Sequence, residues 1–353
     1  METYKNQTKI RQRLAALLIA VMTAICVGGL ASCAGAAVDT GTASGTQSGE
    51  QSAQAGYAQA ASDKGIAAEK WDDGVSQLAV TDQETGPSGG AAAAKGDDSN
   101  LVVRFVDVGQ GDCALVTCGG KSLLIDGGPS SASRKLYSVL RDLGIDSLDY
   151  LVMSHPDADH CGGVNGALEY ARCQRSFCSV TENDTKTFKN IKQRLDAQGC
   201  AIEVPKAGDS FYLGSAKVTF VGPVETVADD SNNNSLVLRI DMGGYSWLFT
   251  GDAEKEEEKS LIAAGANLKA TVLKVGHHGS ASSTSAAFLK KVDPEYAVIS
   301  VGADNSYGHP KQSVLNRIEK QGATLYRTDT DNSIVFETNG ETLSVSTTKR
   351  IEE

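Results

Sequence analysis

The sequence is poor in histidine and in basic residues, and the second shortage argues against one class of protein. Only five of its 353 residues are histidine, and 33 Lys or Arg stand against 44 Asp or Glu, for a formal net charge of −11. From residue 99 onward the balance stays acidic, with 26 basic and 33 acidic residues. Non-specific binding along a nucleic-acid backbone needs a basic surface. The charge therefore argues against such a protein, but a nucleic acid held by metal ions remains a possible substrate.

Long apolar runs are absent except for Leu14–Leu30, which follows a basic start. This pattern is typical of a signal sequence, and it ends in Leu30-Ala31-Ser32-Cys33, which resembles a bacterial lipobox. We therefore predict a leader over residues 1–33, lipidation of Cys33, and an extracytoplasmic protein anchored in the membrane by its lipid. The alternatives are an ordinary cleaved signal, which would give a secreted protein, and an uncleaved single-span anchor.

No two cysteines are spaced as Cys-x-x-C, which argues against a zinc site built from thiolates. Six cysteines follow the leader, and an even number in an exported chain permits disulfides. Cys173 and Cys178 are the predicted local pair, and small buried hydrophobic residues are the equal alternative. The six are Cys113, Cys118, Cys161, Cys173, Cys178 and Cys200.

The composition divides the remaining chain in two. Residues 34–98 are rich in small and polar residues and lack apolar periodicity, which predicts a disordered linker. Residues 99–353 alternate strand and helix patterns, which predicts one α/β domain with sheets between helical layers. Strands are predicted at 101–106, 114–117, 122–125, 150–153, 218–221, 236–241, 245–250, 271–275, 296–301, 324–327 and 334–338, and helices at 134–143, 164–171, 185–197, 254–264, 283–291 and 312–321.

The densest group of metal-ligand residues follows the strand 150–153. It reads His155-Pro156-Asp157-Ala158-Asp159-His160, and Pro156 disfavours helix for the residue before it. An extended stretch would place His155, Asp157 and Asp159 on one side and turn His160 away. Two imidazoles and two carboxylates within six residues can be shared between two metal ions. A solvated acidic loop is the alternative.

Three further strand ends carry polar residues of the same kind. Asp252 is a candidate to bridge two metal ions, with a helix cap as the alternative. His277 and His278 are adjacent and should point to opposite sides, so one of them is expected to be a ligand. Asp126 is predicted to orient a metal-bound group from behind, with a turn residue as the alternative. The segment 109–112 either shapes the rim of the cleft or simply turns the chain.

These motifs together resemble the metallo-β-lactamase fold, an αββα sandwich. The segment 105–112 and the later motifs are more narrowly similar to the C-terminal hydrolase domain of ComEC-type competence proteins. The resemblance covers about residues 101–348, and the transmembrane helices of full ComEC proteins are missing from this sequence. It implies two divalent metal ions, zinc or manganese, and a metal-activated hydroxide that hydrolyses a phosphodiester bond.

The resemblance also assigns roles to single residues. As catalytic residues it implies Asp159, His277, which would face the substrate, and His309, which is either a ligand or a proton donor. Asp157 stands where the broader fold has histidine, and no histidine lies between His160 and His277. This oxygen-rich set shifts preference from zinc toward manganese and leaves the first metal weakly held. The implied ligands are His155, Asp157, Asp159, His160, Asp252 and His278, with Asp126, Asn234 and Ser280 behind them or toward the substrate.

Several functions fit these residues. The first is an extracytoplasmic phosphodiesterase or nuclease, with single-stranded DNA in DNA uptake as the implied substrate. A wall polymer or a lipid headgroup is the alternative phosphodiester. A non-catalytic surface module that binds a metal or ligand, and an amide hydrolase, are the competing classes. No protein partner is predicted.

Overall fold

The computed structural model describes residues 99–348. The predicted leader, Cys33 and the linker lie outside these residues. The described range contains fifteen strands and eight α-helices. The strands are β1 Leu101–Phe105, β2 Ala114–Cys118, β3 Lys121–Ile125, β4 Ser147–Met153, β5 Arg172–Cys178, β6 Ile202–Glu203, β7 Ser210–Leu213, β8 Ala216–Gly222, β9 Val237–Met242, β10 Tyr245–Phe249, β11 Val272–Lys274, β12 Tyr296–Ile299, β13 Thr324–Arg327, β14 Ile334–Thr338 and β15 Leu343–Thr347. The helices are α1 Ser133–Asp142, α2 Ala158–Cys161, α3 Val164–Tyr170, α4 Lys186–Ala197, α5 Lys255–Ala263, α6 Ala286–Val292, α7 Gln312–Gln321 and α8 Thr328–Asp331.

The strands form two mixed sheets. The first has the order β15-β14-β1-β2-β3-β4-β5-β6, and the second has the order β13-β12-β11-β10-β9-β8-β7. Strands β3 to β6 run parallel to one another, as do β10 to β13. The carboxyl ends of parallel strands meet at one edge of a sheet, which is where ligand sites of such sheets form.

Three apolar clusters give the domain four layers. The central cluster joins the two sheets face to face, with Phe105, Phe220 and Trp247 among its fully buried side chains. A second cluster packs α1, α3 and α4 on the first sheet, and a third packs α5, α6 and α7 on the second. The prediction of sheets between helical layers is confirmed. None of the helices between residues 99 and 348 combines the length and apolar character needed to cross a membrane.

Sequence reasoning missed four strands, β5, β6, β7 and β15. Strand β5 reads Arg-Cys-Gln-Arg-Ser-Phe-Cys, and its residues are not apolar at every second position. It forms because β4 lies beside it in parallel register from Ser147–Arg172 to Met153–Cys178. Strand β15 alternates partly buried with exposed residues at the edge of the first sheet. Pairing with neighbouring strands therefore decides these segments, as is usual for strands.

The predicted disulfide between Cys173 and Cys178 is wrong. Both residues lie on β5, where five residues span about 16 Å, and the Cα atoms of a disulfide lie within about 7 Å. All six cysteines between residues 99 and 348 are free and buried. The Sγ atom of Cys173 instead lies 3.7 Å from that of Cys200, which follows α4.

We expect Cys173 and Cys200 to form a disulfide when the full chain refolds with oxidised glutathione. Two thiols that already face each other need only small side-chain rotations to reach bonding geometry. Mass spectrometry of a tryptic digest should find the peptides 173–175 and 195–206 linked, and the peptide 176–186, which holds Cys178, unlinked. Cys200→Ser should abolish the link and Cys118→Ser should keep it. Six free thiols in refolded residues 99–348 would contradict the expectation.

Glu257 of α5 gives the domain a pH-dependent stability. Its Oε1 accepts a hydrogen bond from the Val224 amide at 2.9 Å, yet burial raises the pKa of the carboxyl from 4.5 to about 7. The folded protein therefore binds more protons than the unfolded chain between these two pH values. The free energy of unfolding should accordingly fall as the pH rises through this window.

Glu257→Gln should remove this loss, because the amide oxygen still accepts from Val224 and cannot ionise. Urea unfolding at pH 5 and pH 8 should show the variant gaining stability over the parent protein as the pH rises. Glu256→Gln, an exposed change in the same helix, should show no such trend. An equal difference between Glu257→Gln and the parent at both pH values would refute the assignment.

Candidate metal centre

The loop after β4 turns at once into a helix, so the predicted extended stretch is wrong. Pro156 constrains the residue before it, but Ala158–Cys161 form the single turn α2. The amides of His160 and Cys161 donate to the carbonyl of Asp157 at 3.1 and 2.9 Å. The turn swings His160 inward, and its ring centroid lies 4.1 Å from that of His155. Both histidines are therefore on the same side of the loop.

Two glycines after α2 let the loop lie against the backbone that follows β3. A Cβ atom on Gly163 would lie 2.0 Å from the carbonyl oxygen of Gly127, so no larger residue fits there. In the same contact the amide of Gly127 donates to the carbonyl of His160 at 2.6 Å. This packing fixes His160 beside Asp126.

Three buried histidines are held in the same manner. Each uses its Nδ1 atom for contacts away from the centre of the site, which leaves Nε2 directed inward. The Nδ1 contacts are His155 to Ser154 Oγ at 3.0 Å and Ser235 Oγ at 3.3 Å, His160 to Asp126 Oδ2 at 3.1 Å, and His278 to Ser300 O at 3.0 Å and Asp112 Oδ1 at 3.1 Å. Asp126 thus lies where an orienting carboxylate would stand.

The inward atoms have no hydrogen bonds, and those of His160 and His278 converge on Asp252. The Nε2 atoms of His155, His160 and His278 and Oδ1 of Asp252 are buried and have no hydrogen-bond partner. Asp252 Oδ1 lies 3.1 Å from His160 Nε2 and 3.6 Å from His278 Nε2, and Asp159 Oδ2 lies 3.3 Å from His278 Nε2. Buried polar atoms without a partner are costly, and imidazole with carboxylate is a common ligand set for divalent metals. The residues therefore fit a metal ion.

The candidate ligands fall into two groups. Asp159, His160, Asp252 and His278 each offer one ligand atom, and these atoms all lie within 4.8 Å of one another. His155 and Asp157 form a looser group, with Nε2 and Oδ2 3.7 Å apart. The side chain of Asp157 is 48% exposed, and the hydroxyl of Ser231 donates to its Oδ1 at 2.7 Å. The first group is thus the tighter of the two.

The buried carboxylates produce a strongly negative electrostatic potential at the histidines. Burial disfavours the charged form of His278, but Asp252 and Asp112 outweigh it and raise its pKa to about 10. His160 behaves alike, since burial is outweighed by Asp252 and Asp126 and its pKa lies well above the usual range. Burial alone would raise the pKa of Asp252, but the nearby histidines outweigh it and hold this pKa well below its usual range. A negative potential that stabilises the protonated form of these rings also stabilises a bound divalent cation. Protons and the cation therefore compete for the same ring nitrogens.

A buried ion pair behind His278 was missed by sequence reasoning. Asp112 Oδ2 lies 2.8 Å from Lys274 Nζ, and both side chains are almost fully buried. Oδ1 of Asp112 contacts the Nδ1 atom of His278, as described above. The sequence predicts a rim or a turn for Asp112, because the preceding Gly-Gln-Gly is equally typical of both. Lys274 ends a buried strand, where lysine is rare unless paired, and this was the available signal.

Adjacent histidines meet at the mouth of the site. His277 and His278 both have left-handed backbones, with φ of 49° and 51°, so they do not point to opposite sides as expected. Nε2 of His277 lies 3.5 Å from Asp252 Oδ2, and its Nδ1 lies 3.0 Å from Glu254 Oε1. Ser280 belongs to the same network, since its Oγ contacts Ser282 Oγ at 2.8 Å and Ser282 donates to Glu254 at 2.7 Å.

Asn234 is not among these residues. Its Oδ1 accepts from the amide of Val227 and its Nδ2 donates to the carbonyl of Val227, both at 2.7 Å. Both polar atoms of the side chain thus hold the loop and do not face the centre. The neighbouring Asn233 instead accepts hydrogen bonds from the amides of Glu254 and Glu257, which fixes the start of α5.

Asp126→Asn should weaken metal binding, because the amide cannot hold His160 with the same charge-assisted contact. We expect affinity for zinc to fall about 10- to 100-fold, measured by competition with a chelating dye at fixed pH. Asp146→Asn makes the same chemical change at an exposed position before the opposite end of β4 and should leave affinity unchanged. Equal affinity in the two variants would remove Asp126 from the centre.

Comparison with known proteins shows which family this sequence belongs to. The sequence pattern of the Metallo-beta-lactamase superfamily matches residues 106–303, a range that includes the six implied ligands from His155 to His278 and ends before His309. ComE operon protein 3 of Bacillus subtilis is 33% identical over 252 residues, which cover 66% of this chain and 32% of that protein. Competence protein ComA of Neisseria gonorrhoeae is 36% identical over 248 residues, 68% of this chain and 32% of that protein.

A third relative, Recombination protein 2 of Haemophilus influenzae, is 33% identical over 231 residues, 64% of this chain and 27% of that protein. The chain thus spans about a third of the length of these relatives. They confirm the predicted resemblance to ComEC-type competence proteins. Because the family pattern matches more than half of the chain, this protein belongs to the metallo-beta-lactamase superfamily.

Proposed function

We propose that the domain hydrolyses phosphodiester bonds with the help of two divalent metal ions, and that single-stranded DNA is its substrate. The observation that carries the proposal is a set of three buried Nε2 atoms without hydrogen bonds. Two of them, those of His160 and His278, lie 3.1 and 3.6 Å from Asp252, and that of His155 lies 3.7 Å from Asp157. The names of two relatives, Competence protein ComA and Recombination protein 2, favour DNA over other phosphodiesters.

The two ligand groups divide the metals between them. Asp159, His160 and His278 would hold one ion, His155 and Asp157 would hold the other, and Asp252 would contact both. When bound, divalent ions supply Lewis acidity toward a phosphoryl oxygen and activate water near neutral pH. The second group, with its carboxylates, favours manganese over zinc, and the exposure of Asp157 predicts that this group binds the more weakly held ion.

Residues at the mouth act on the substrate. Glu254 accepts from Nδ1 of His277 and so directs Nε2 of that ring toward the centre. In the protonated ring, whose charge Glu254 would balance, Nε2 can donate to an oxygen on which negative charge develops. Burial and the nearby His277 lower the pKa of His309 to about 4, so His309 is neutral at physiological pH. A neutral imidazole can bind a metal ion as well as donate a hydrogen bond to the leaving oxygen. Since His309 does not belong to the group of ligand atoms that converge around Asp252, the second role is favoured.

A cysteine nucleophile does not fit the site. Cys161 follows His160 directly, but burial raises the pKa of its thiol to about 12. The Sγ atom donates to the carbonyl of Pro156 at 3.1 Å and so lies against backbone. Since the thiolate is the nucleophilic form, this cysteine serves packing, and the site favours water as the attacking group.

We further propose that the enzyme works outside the cytoplasmic membrane, anchored by a lipid on Cys33. This rests on the basic start, the apolar run and the lipobox-like end of the leader. Metabolic labelling with a radioactive fatty acid should mark the parent protein but not Cys33→Ala. Labelling of both proteins alike would place any lipid elsewhere.

Asp252→Asn should abolish most of the activity, because the centre loses its shared carboxylate. We expect kcat/KM on a single-stranded oligonucleotide to fall at least about 100-fold, with manganese or zinc supplied. Chelator should abolish turnover by the parent protein, and Asp146→Asn should match the parent. Full activity of Asp252→Asn would refute the proposed centre.

The same preparation separates the competing functions. Cleavage of glycerophosphodiesters or wall polymers without cleavage of DNA would assign a different phosphodiester. Bound metal without turnover of any diester would favour a binding module, and turnover of a β-lactam would favour an amide hydrolase. Metal content is measured by atomic emission on the purified full chain.

A further inference from the structure

A row of aromatic rings leads from the metal centre to the surface. The ring centroids of His278 and His277 are 6.1 Å apart, those of His277 and His309 are 5.8 Å apart, and those of His309 and Tyr307 are 5.7 Å apart. The first ring is buried, whereas Tyr307 is 61% exposed. The His309 and Tyr307 rings stack, with 22° between their planes.

The loop that carries Tyr307 is held in place by hydrogen bonds. Asn305 accepts from the amide of His309 at 3.0 Å and donates to the carbonyls of His309 and Gly302 at 2.6 and 2.9 Å. Lys311 Nζ donates to the carbonyl of Tyr307 at 2.7 Å. An exposed ring on a fixed loop loses little conformational entropy on binding, which favours a contact surface for a ligand.

Exposed aromatic rings are scarce among residues 99–348. The large hydrophobic residues exposed there include two tyrosines, Tyr212 and Tyr307. Tyr212 lies on β7, the edge strand of the second sheet, and only Tyr307 joins the ring row. A tyrosine near the proposed catalytic centre that is 61% exposed offers apolar area and a π-system to a planar partner.

The negative charge of the chain favours a ligand that binds through planar rings over one that binds through phosphates. From residue 99 onward the net charge is −7, so contacts to phosphates outside the metal centre contribute little attraction. Base stacking on aromatic side chains is independent of sequence and of backbone charge. A single strand, whose bases are unstacked, can therefore be held by its bases while one phosphate reaches the metals.

We propose that Tyr307 stacks with the nucleobase next to the phosphodiester that is cleaved, and that this contact makes the enzyme select nucleic-acid strands over diesters without a base. The inference rests on the proposed phosphodiesterase function. His309 supports the tyrosine from behind and links it to His277, so the base and the reacting phosphate are positioned by one continuous set of rings.

The test compares two substrates on the manganese-loaded full chain. One is an oligothymidylate, and the other has the same length and backbone but abasic residues. Tyr307→Ala should lower kcat/KM on the oligothymidylate about 5- to 150-fold, the range for loss of one base stack, and should leave the abasic strand unchanged. Tyr307→Phe, which keeps the ring, should stay near the parent protein on both, and Tyr212→Ala is the matched control for loss of an exposed tyrosine.

The outcomes distinguish the stacking role of Tyr307 from the proposed phosphodiesterase function on which it rests. An equal effect of Tyr307→Ala on both strands, or no effect on either, overturns the stacking role while cleavage by the parent upholds the phosphodiesterase. Equal cleavage of both strands by the parent also overturns it, because the base then contributes nothing. Failure of the parent to cleave either strand overturns the proposed function together with the inference.

Discussion

The contact between Asp126 and His160 Nδ1 is the constraint on which the arrangement of the site depends. It joins a residue at the end of β3 to one in the loop after β4, at 3.1 Å, and it decides which ring nitrogen faces the centre. Ser154 and Ser235 do the same for His155, and Asp112 and Ser300 for His278. The candidate ligands are thus oriented by polar contacts made on their far sides, an arrangement that is common in metal sites.

The chain makes this arrangement with backbone contacts as much as with side chains. Gly163 allows the helical turn α2 to lie on the carbonyl of Gly127, and left-handed backbones at His277 and His278 bring two adjacent rings near one carboxylate. Conformations of this kind are uncommon for residues with a Cβ atom and are usually found where function requires them.

Much of the fold could be read from the sequence, because strands that end in polar residues are marked by apolar runs and most helices by their periodicity. The approximate positions of His155, Asp252 and Asp126 follow from that reading. The inward turn of His160 could not be read, since it comes from packing of Gly163 on a segment more than thirty residues earlier. The Asp112–Lys274 pair likewise depends on a tertiary contact that no local pattern records. The position of Asn234 depends on how its loop folds back on Val227, seven residues earlier.

The candidate ligands come from both sheets, and this has a thermodynamic consequence. His155, Asp159 and His160 follow β4 of the first sheet, while Asp252 and His278 follow β10 and β11 of the second. The amide of Leu236 also donates to the carbonyl of Ser154 at 2.8 Å and so joins the two halves at this edge. Any ion bound there strengthens the association of the sheets by its binding free energy. By linkage, a change that favours separation of the two sheets lowers the metal affinity by the same factor. Residues far from the site therefore contribute to metal binding through the packing of the sheets.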